Sequence, residues 1–230
     1  MFSISFKNES CIGYRIIPVR RPSIPAPEEK IEEVEVPGRN GILTISQGLY
    51  NPIEIPVEFN FMAKSNECGE VFRVAKKWLS GSGELWFSDD PDVYYKALYC
   101  KITGSERTSK RIEKFTAEFT CDPFTYLKSG KSEIQLKPTI YNPGYVCEPI
   151  YRIAGEGFCT LTVNGNEFTA NVGQEIIIDS SRQISYKNDG QMINTDVTGD
   201  YKWLWLTPGD NTLSVTDGFA VNITPEWREL

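Results

Sequence analysis

Three groups of side chains in this sequence have the types and spacing to do chemistry. Asp89-Asp90-Pro91-Asp92 concentrates carboxylates, the hard oxygen ligands that suit Ca2+. The spacing is not that of an EF-hand loop, and aspartate beside proline is also the composition of a turn, so no metal ligand is assigned there. Glu28-Glu29 and Glu32-Glu33 could supply the acid and base of glycoside hydrolysis, which needs two carboxyls held a set distance apart. Acidic doublets of this kind ordinarily mark a solvated face, and no catalytic residue is assigned. Trp203 and Trp205 stand two apart, so on a strand they share one face while Leu204 and Leu206 share the other. One pair should enter a core. An exposed indole pair would be a platform for stacking sugars.

What is missing narrows the chemistry further. The 230 residues contain no histidine, which removes the usual general acid/base and any Ser-His or Cys-His nucleophile. Six cysteines, at 11, 68, 100, 121, 147 and 159, include no Cys-x-x-Cys pair, so neither a zinc knuckle nor a redox motif is indicated. They read as small buried hydrophobes in a protein made in a reducing cytosol. Lys and Arg total 24 against 31 Asp and Glu, a formal charge of −7, which disfavours nucleic-acid binding because that affinity rests on neutralising phosphates. Met1–Asn8 lacks a cationic start followed by an apolar run and is not read as a signal peptide. No stretch approaches the ~18 apolar residues of a membrane helix. No cofactor is indicated.

The elements that would position these side chains are mostly strands. Ile53, Ile55, Val57, Phe59 and Phe61 alternate with polar residues and predict a strand buried on one face. Pro56 points the other way and predicts a sheet edge or a bulge. Phe115, Ala117, Phe119 and Cys121 repeat the pattern, and Glu84–Phe87 and Val93–Ile102 are further strands by β-propensity. One helix is predicted from about Glu67 to Ser80, capped by Asn66, stopped by Gly81, with Val71, Phe72, Ala75, Trp78 and Leu79 as its apolar stripe. A lone helix of this kind must bury that stripe on a sheet, which makes Trp78 core. Four prolines between Pro18 and Pro27 predict an extended arm or long loop, and Gly104–Arg111, with Arg107, Lys110 and Arg111, an exposed hairpin loop.

Around Lys128–Pro149 the composition shifts, and short strands with no helical period follow. Asn142-Pro143-Gly144, Asn164-Gly165, Asn188-Asp189-Gly190 and Thr207-Pro208-Gly209-Asp210 mark turns between them. The strands predicted there are Glu175–Ile178, Gln183–Tyr186, Trp203–Leu206, Thr212–Val215 and Ala220–Ile223, together a β-sandwich. The reading is two domains, 1–138 and 139–230, both mainly β.

In order along the chain, these motifs resemble the phage distal tail protein (Dit) family, a tail component of long-tailed siphophages. The likeness starts at Val36-Pro37-Gly38-Arg39-Asn40-Gly41, with Leu43 and Tyr50 after it. It continues through the strand Ile53–Phe61, the helix end Trp78-Leu79, Gly83-Glu84-Leu85, the acidic turn Ser88–Asp92 and Tyr94-Tyr95-Lys96-Ala97. The half closes on Phe119-Thr120-Cys121-Asp122-Pro123-Phe124. In the second half, Glu148–Gly155, Ile177-Ile178-Asp179, Gly199-Asp200-Tyr201 and Leu206–Leu213 are similar to the family's closing domain.

The resemblance implies an N-terminal β-sandwich-like domain with one packed α-helix and a C-terminal galectin-like β-sandwich. It implies a structural virion protein, not an enzyme, of phage or prophage origin. As a baseplate hub it would form a hexameric ring joining the tail tube to the tail-tip adsorption apparatus. The implied partners are copies of itself, the tail tube protein, a tail-associated lysin or tail fibre/tip protein, and the tape measure protein. Neither nucleic-acid binding nor membrane insertion is expected. The implied location is the virion tail tip, after assembly in the host bacterial cytoplasm. The alternative is a carbohydrate-binding module acting through the C-terminal sandwich. Galectins, however, bind sugar through a His-x-Asn-x-Arg motif, which a chain without histidine lacks.

Overall fold

The computed structural model describes residues 2–35, 37–38 and 40–230. Val36 and Arg39 of the turn segment named above lie outside the described residues. The chain divides into two compact units, residues 1–125 with Leu230, and residues 126–229. The division falls upstream of the 138/139 boundary read from the sequence. Residues between them already belong to the second core: Leu127 donates its N–H to the Trp227 carbonyl at 2.8 Å, and Leu127, Ile134 and Leu136 pack against that core.

In the first unit the strands are β1 (Ile4–Phe6), β2 (Glu9–Ser10), β3 (Ile16–Pro18), β4 (Glu29–Glu35), β5 (Ile42–Tyr50) and β6 (Ile53–Met62). Helix α1 (Cys68–Leu79) follows, then β7 (Gly83–Phe87), β8 (Asp90–Ile102), β9 (Glu106–Arg107) and β10 (Ile112–Leu127), whose last two residues belong to the second unit. The main sheet runs in the order β2-β1-β7-β8-β10-β6-β3, with β9 also on β10. Alternation sets the register of its centre. Ile53 to Phe61 on β6 and Phe115 to Cys121 on β10 pair antiparallel, and their apolar members all face one core.

The stripe of α1 lies in that same core. Val71, Ala75, Trp78 and Leu79 are buried and Phe72 is partly buried, its ring 5.3 Å from that of Phe115. Trp78 packs on Tyr14, with ring centroids 4.9 Å apart, and its indole N–H donates to the Phe6 carbonyl at 3.1 Å. Both demands of a buried tryptophan, apolar contact and a partner for its N–H, are thereby met. Asn66 is not the cap. Glu67 holds that position without a side-chain bond, because the Lys64 carbonyl takes the N–H groups of Glu67 and Cys68 in a preceding turn. At the other end Ser80 is extended and Gly81 takes φ +81°, the left-handed stop expected. The Lys7 ammonium donates to the Ser80 carbonyl, placing a cation at the negative end of the helix.

The second unit contains β11 (Ile134–Gln135), β12 (Thr139–Asn142), β13 (Ile150–Val163), β14 (Asn166–Asp179), β15 (Ile184–Tyr186), β16 (Val197–Thr198), β17 (Gly209–Val215) and β18 (Ala220–Thr224). Sheet order is β11-β18-β13-β14-β15, with β16 on β14 and β17 bridging β12 and β13. Asn164 (φ 50°) and Gly165 (φ 83°) make the two-residue turn that folds β13 back as β14, as their pairing predicts. Of the strands expected here, Glu175–Ile178, Thr212–Val215 and Ala220–Ile223 are stretches of longer ones, and Gln183–Tyr186 is the shorter β15.

Trp203–Leu206 is not a strand. Tyr201–Leu204 form a 3-10 turn opened by Asp200, whose carboxylate accepts the Lys202 N–H. Leu204 and Leu206 are nevertheless the buried pair, because the chain leaves this turn in an extended conformation at Trp205. Asn211, fully buried, has its side chain satisfied by Asn164, Thr207, Gly209 and Ile140, which fixes the turn that starts β17.

Candidate assembly surfaces

None of the groups singled out for chemistry comes together as a reactive site. Asp89 is ion-paired with Arg21, whose guanidinium also lies 5.9 Å from the centre of the Phe87 ring. The turn is shorter than expected. Asp90 pairs with Phe87, so Asp90, Pro91 and Asp92 belong to β8. Among the described residues no group of three or more His, Cys, Asp or Glu is placed to hold a metal ion. Glu32 and Glu33 are consecutive on β4 and point to opposite faces, with Ile45 and Thr44 across from them, and Glu29 accepts a hydrogen bond from Ser46. No facing carboxyl pair results.

The two tryptophans are placed differently from each other. Trp203 is 45 % exposed. Trp205 is half-buried, with Lys202 6.0 Å from its ring and its indole nitrogen buried. They do not present the paired indole face that a strand would have given them. The cysteines are free thiols, all buried except the partly exposed Cys100. Burial pushes the thiols of Cys100, Cys121 and Cys147 up to about 12 and that of Cys159 up to about 11, the opposite of what a reactive thiol requires.

What the first unit does present is exposed apolar surface. The proline segment is pinned down: Pro22 is buried, Arg20 pairs with Glu58 at 3.2 Å, and Arg21 is held by Asp89. Where that segment ends, β4 and β5 form a separate two-stranded sheet that pairs with no other strand among the described residues. Glu33 lies opposite Thr44, Val34 opposite Leu43 and Glu35 opposite Ile42. Ile31, Ile42, Leu43, Ile45 and Leu49 are all exposed, Ile31, Ile42 and Leu49 by more than half. A hairpin of two strands is at best marginally stable in water, and this one carries apolar side chains on both faces. Its turn and its acidic doublets are legible in the sequence, and its pairing as a hairpin is seen only in the structure. The available signal was the pair Ile31/Val34 and Ile42/Leu43/Ile45 flanking a Pro-Gly turn.

The sheet edge beside it is blunted. Val19 donates its N–H to Glu58 at 2.8 Å, so Glu58 and Asn60 direct their backbone groups toward β3. By the period of two, Pro56 faces the same flank, beyond the end of β3, and Pro18 faces outward from β3 itself. Two prolines thus remove donors from one free edge, which bears out the edge position expected of Pro56.

At the far end of β6 a second patch is exposed. Met62 and Ile112 are cross-strand partners at 69 % and 40 % exposure. The polar loop after β8 stands beside them. Arg107 reaches the nearly buried Glu113 at 2.7 Å and Lys114 meets Glu106 at 3.4 Å, while Lys110 and Arg111 have no ion-pair partner among the described residues. The loop is exposed as expected, though Glu106–Arg107 adds a short strand to β10.

Residues 12–121 match the family model of the phage tail protein RIFT-related domain. No curated protein sequence matches the chain. Among solved structures the chain is similar to SPP1 Dit, described as a paradigm of the hub adsorption apparatus in phages infecting Gram-positive bacteria. The TM-score is 0.70 at 16 % identity, covering 100 % of this chain and 98 % of that one. At this identity the likeness establishes a shared fold, mainly β with a single helix, and the resemblance read from the sequence is borne out.

Proposed function

We propose that this chain, which carries a phage tail protein RIFT-related domain over residues 12–121, is the distal tail hub protein of a long-tailed phage and assembles as a hexameric ring. The observation that carries the reading is the β4–β5 hairpin, ordered, paired with no other strand among the described residues and exposing apolar residues on both faces. Apolar surface of that extent marks a protein contact, and a segment reaching from one copy to the next makes a head-to-tail interface that closes into a ring. The blunted edge at Pro18 and Pro56 supports the same reading, since it discourages open-ended strand pairing between copies while leaving the hairpin free to bind.

The role is structural: the ring joins the tail tube to the adsorption apparatus at the tail tip, after assembly in the host cytoplasm. Its neighbours are the tail tube protein, the tape measure protein, and a tail-associated lysin or fibre protein. Electron microscopy and mass measurement of the purified chain test this. Six-fold rings with a central bore, and a mass six times that of the chain, are the expected result. A chain that remains single at all concentrations, and is missing from the tips of assembled tails, would overturn the reading.

A further inference from the structure

We infer that the β4–β5 hairpin of one copy seats on the Met62–Ile112 end of β6 and β10 in the next copy, with Glu33 and Glu35 against Lys110 and Arg111. The inference rests on the ring reading and names the two surfaces that meet. The hairpin face in question carries Ile31, Glu33, Glu35 and Ile42, with Ser46 and Thr44 across from Ile31 and Glu33. All four named side chains are exposed. From Glu28 to Tyr50 the sequence has five glutamates against Lys30 and Arg39, and none of the glutamates is ion-paired among the described residues.

The acceptor is its complement in both respects. Met62 and Ile112 give it an apolar centre, and Lys110 and Arg111 give it unpaired positive charge. The other charges nearby are already matched: Lys64 with Glu67 at 3.5 Å, Lys114 with Glu106, and Arg107 with Glu113. The loop bearing the free cations is also ordered in advance. Thr108 and Ser109 donate to the Ile112 carbonyl, Ala63 donates to that of Arg111, and the Arg107–Glu113 pair anchors its base. Little ordering is then left to oppose binding.

Within one chain the hairpin joins β6 through Asn51 and Pro52 at its Ile53 end, while the acceptor lies at its Met62 end, ten residues on. Donor at one end and acceptor at the other is the arrangement of a head-to-tail contact, which propagates from copy to copy until it closes.

Charge reversal tests the contact in the full chain. Lys110→Glu with Arg111→Glu, or Glu33→Lys with Glu35→Lys, should each raise the concentration at which oligomers dissociate roughly tenfold or more at physiological salt. Mixing the two variants should restore assembly, since each supplies the surface the other has reversed. Far-UV circular dichroism checks that both remain folded. Independently, a chain carrying Ile42→Cys and Met62→Cys should give a ladder of disulfide-linked oligomers on oxidation. Oligomers that survive both reversals without a ladder would overturn this contact and leave the ring reading standing. A parent chain that is single at every concentration, with no ladder, would overturn both.

Discussion

Burial acts on single side chains here in a way that can be read by titration. Cys100, Cys121 and Cys147 have thiols pushed from 9.0 to about 12 by loss of solvent, with Cys159 raised to about 11. Buried Tyr151 is raised well above its ordinary 10.0 for the same reason. The folded state thus holds these protons to higher pH than the unfolded chain does. Below about pH 9 both states are protonated and stability is fully present. Above it the unfolded chain releases protons first, so stability falls as pH rises toward the folded values. With no histidine, no side chain of ordinary pKa changes charge between pH 6 and 8. Urea unfolding midpoints should therefore be level from pH 6 to 8 and decline from about pH 9 to 11. Replacing both Cys121 and Cys147 with alanine should flatten that decline, at the expense of some core packing at every pH. An alkaline slope unchanged by the double replacement would show that these thiols are not its source.

At the scale of elements, Pro18 and Pro56 make a sharper claim than their composition alone. Both stand where a backbone N–H would face outward from one free edge of the first sheet, so replacing them restores donors without disturbing existing pairs. Pro18 is buried, so Pro56 is the one to replace: Pro56→Thr should leave the unfolding midpoint of the unit within about 0.5 kcal/mol in stability terms, because it is a surface change. The same variant should aggregate faster, with an increase in thioflavin-positive material. No change in aggregation would mean that something else covers the edge. Pro56 was legible as an edge residue because a strict alternation surrounds it. The β6 and β10 strands and the α1 stripe were legible for the same reason: one face of each is buried, so the period of burial is written in residue type. The hairpin β4–β5 was not, since a strand exposed on both faces has no inside for its pattern to report. Trp203–Leu206 misled for a related reason, its two leucines being buried two apart by a 3-10 turn with an extended exit. Asn66 is one residue off because the Lys64 carbonyl satisfies the first donors of the helix instead.

For the whole molecule, each unit has its own core. The first gathers Phe6, Phe59, Trp78 and Phe119, the second Tyr151, Phe168, Leu204 and Ile223, and among the described residues no buried one belongs to both. A unit with a complete core of its own should fold alone. A fragment starting at Tyr126 retains β11 to β18, the turn network of Asn211 and the bond from Leu127 to the Trp227 carbonyl. It should unfold in urea as a single sigmoidal transition, with fluorescence and far-UV circular dichroism coincident. By the same reasoning it should sediment as a single chain, because the hairpin and the Met62–Ile112 patch both lie in the first unit. The fragment also settles what Trp203 does, since an exposed indole on a folded, non-assembling unit can be presented to a glycan array. Binding there that is lost in Trp203→Ala would make the second unit a sugar-binding module, whereas a silent array would leave the exposed indole without that role. A broad, non-coincident transition would mean instead that its core needs residues upstream of Tyr126, and the division into two folding units would fall.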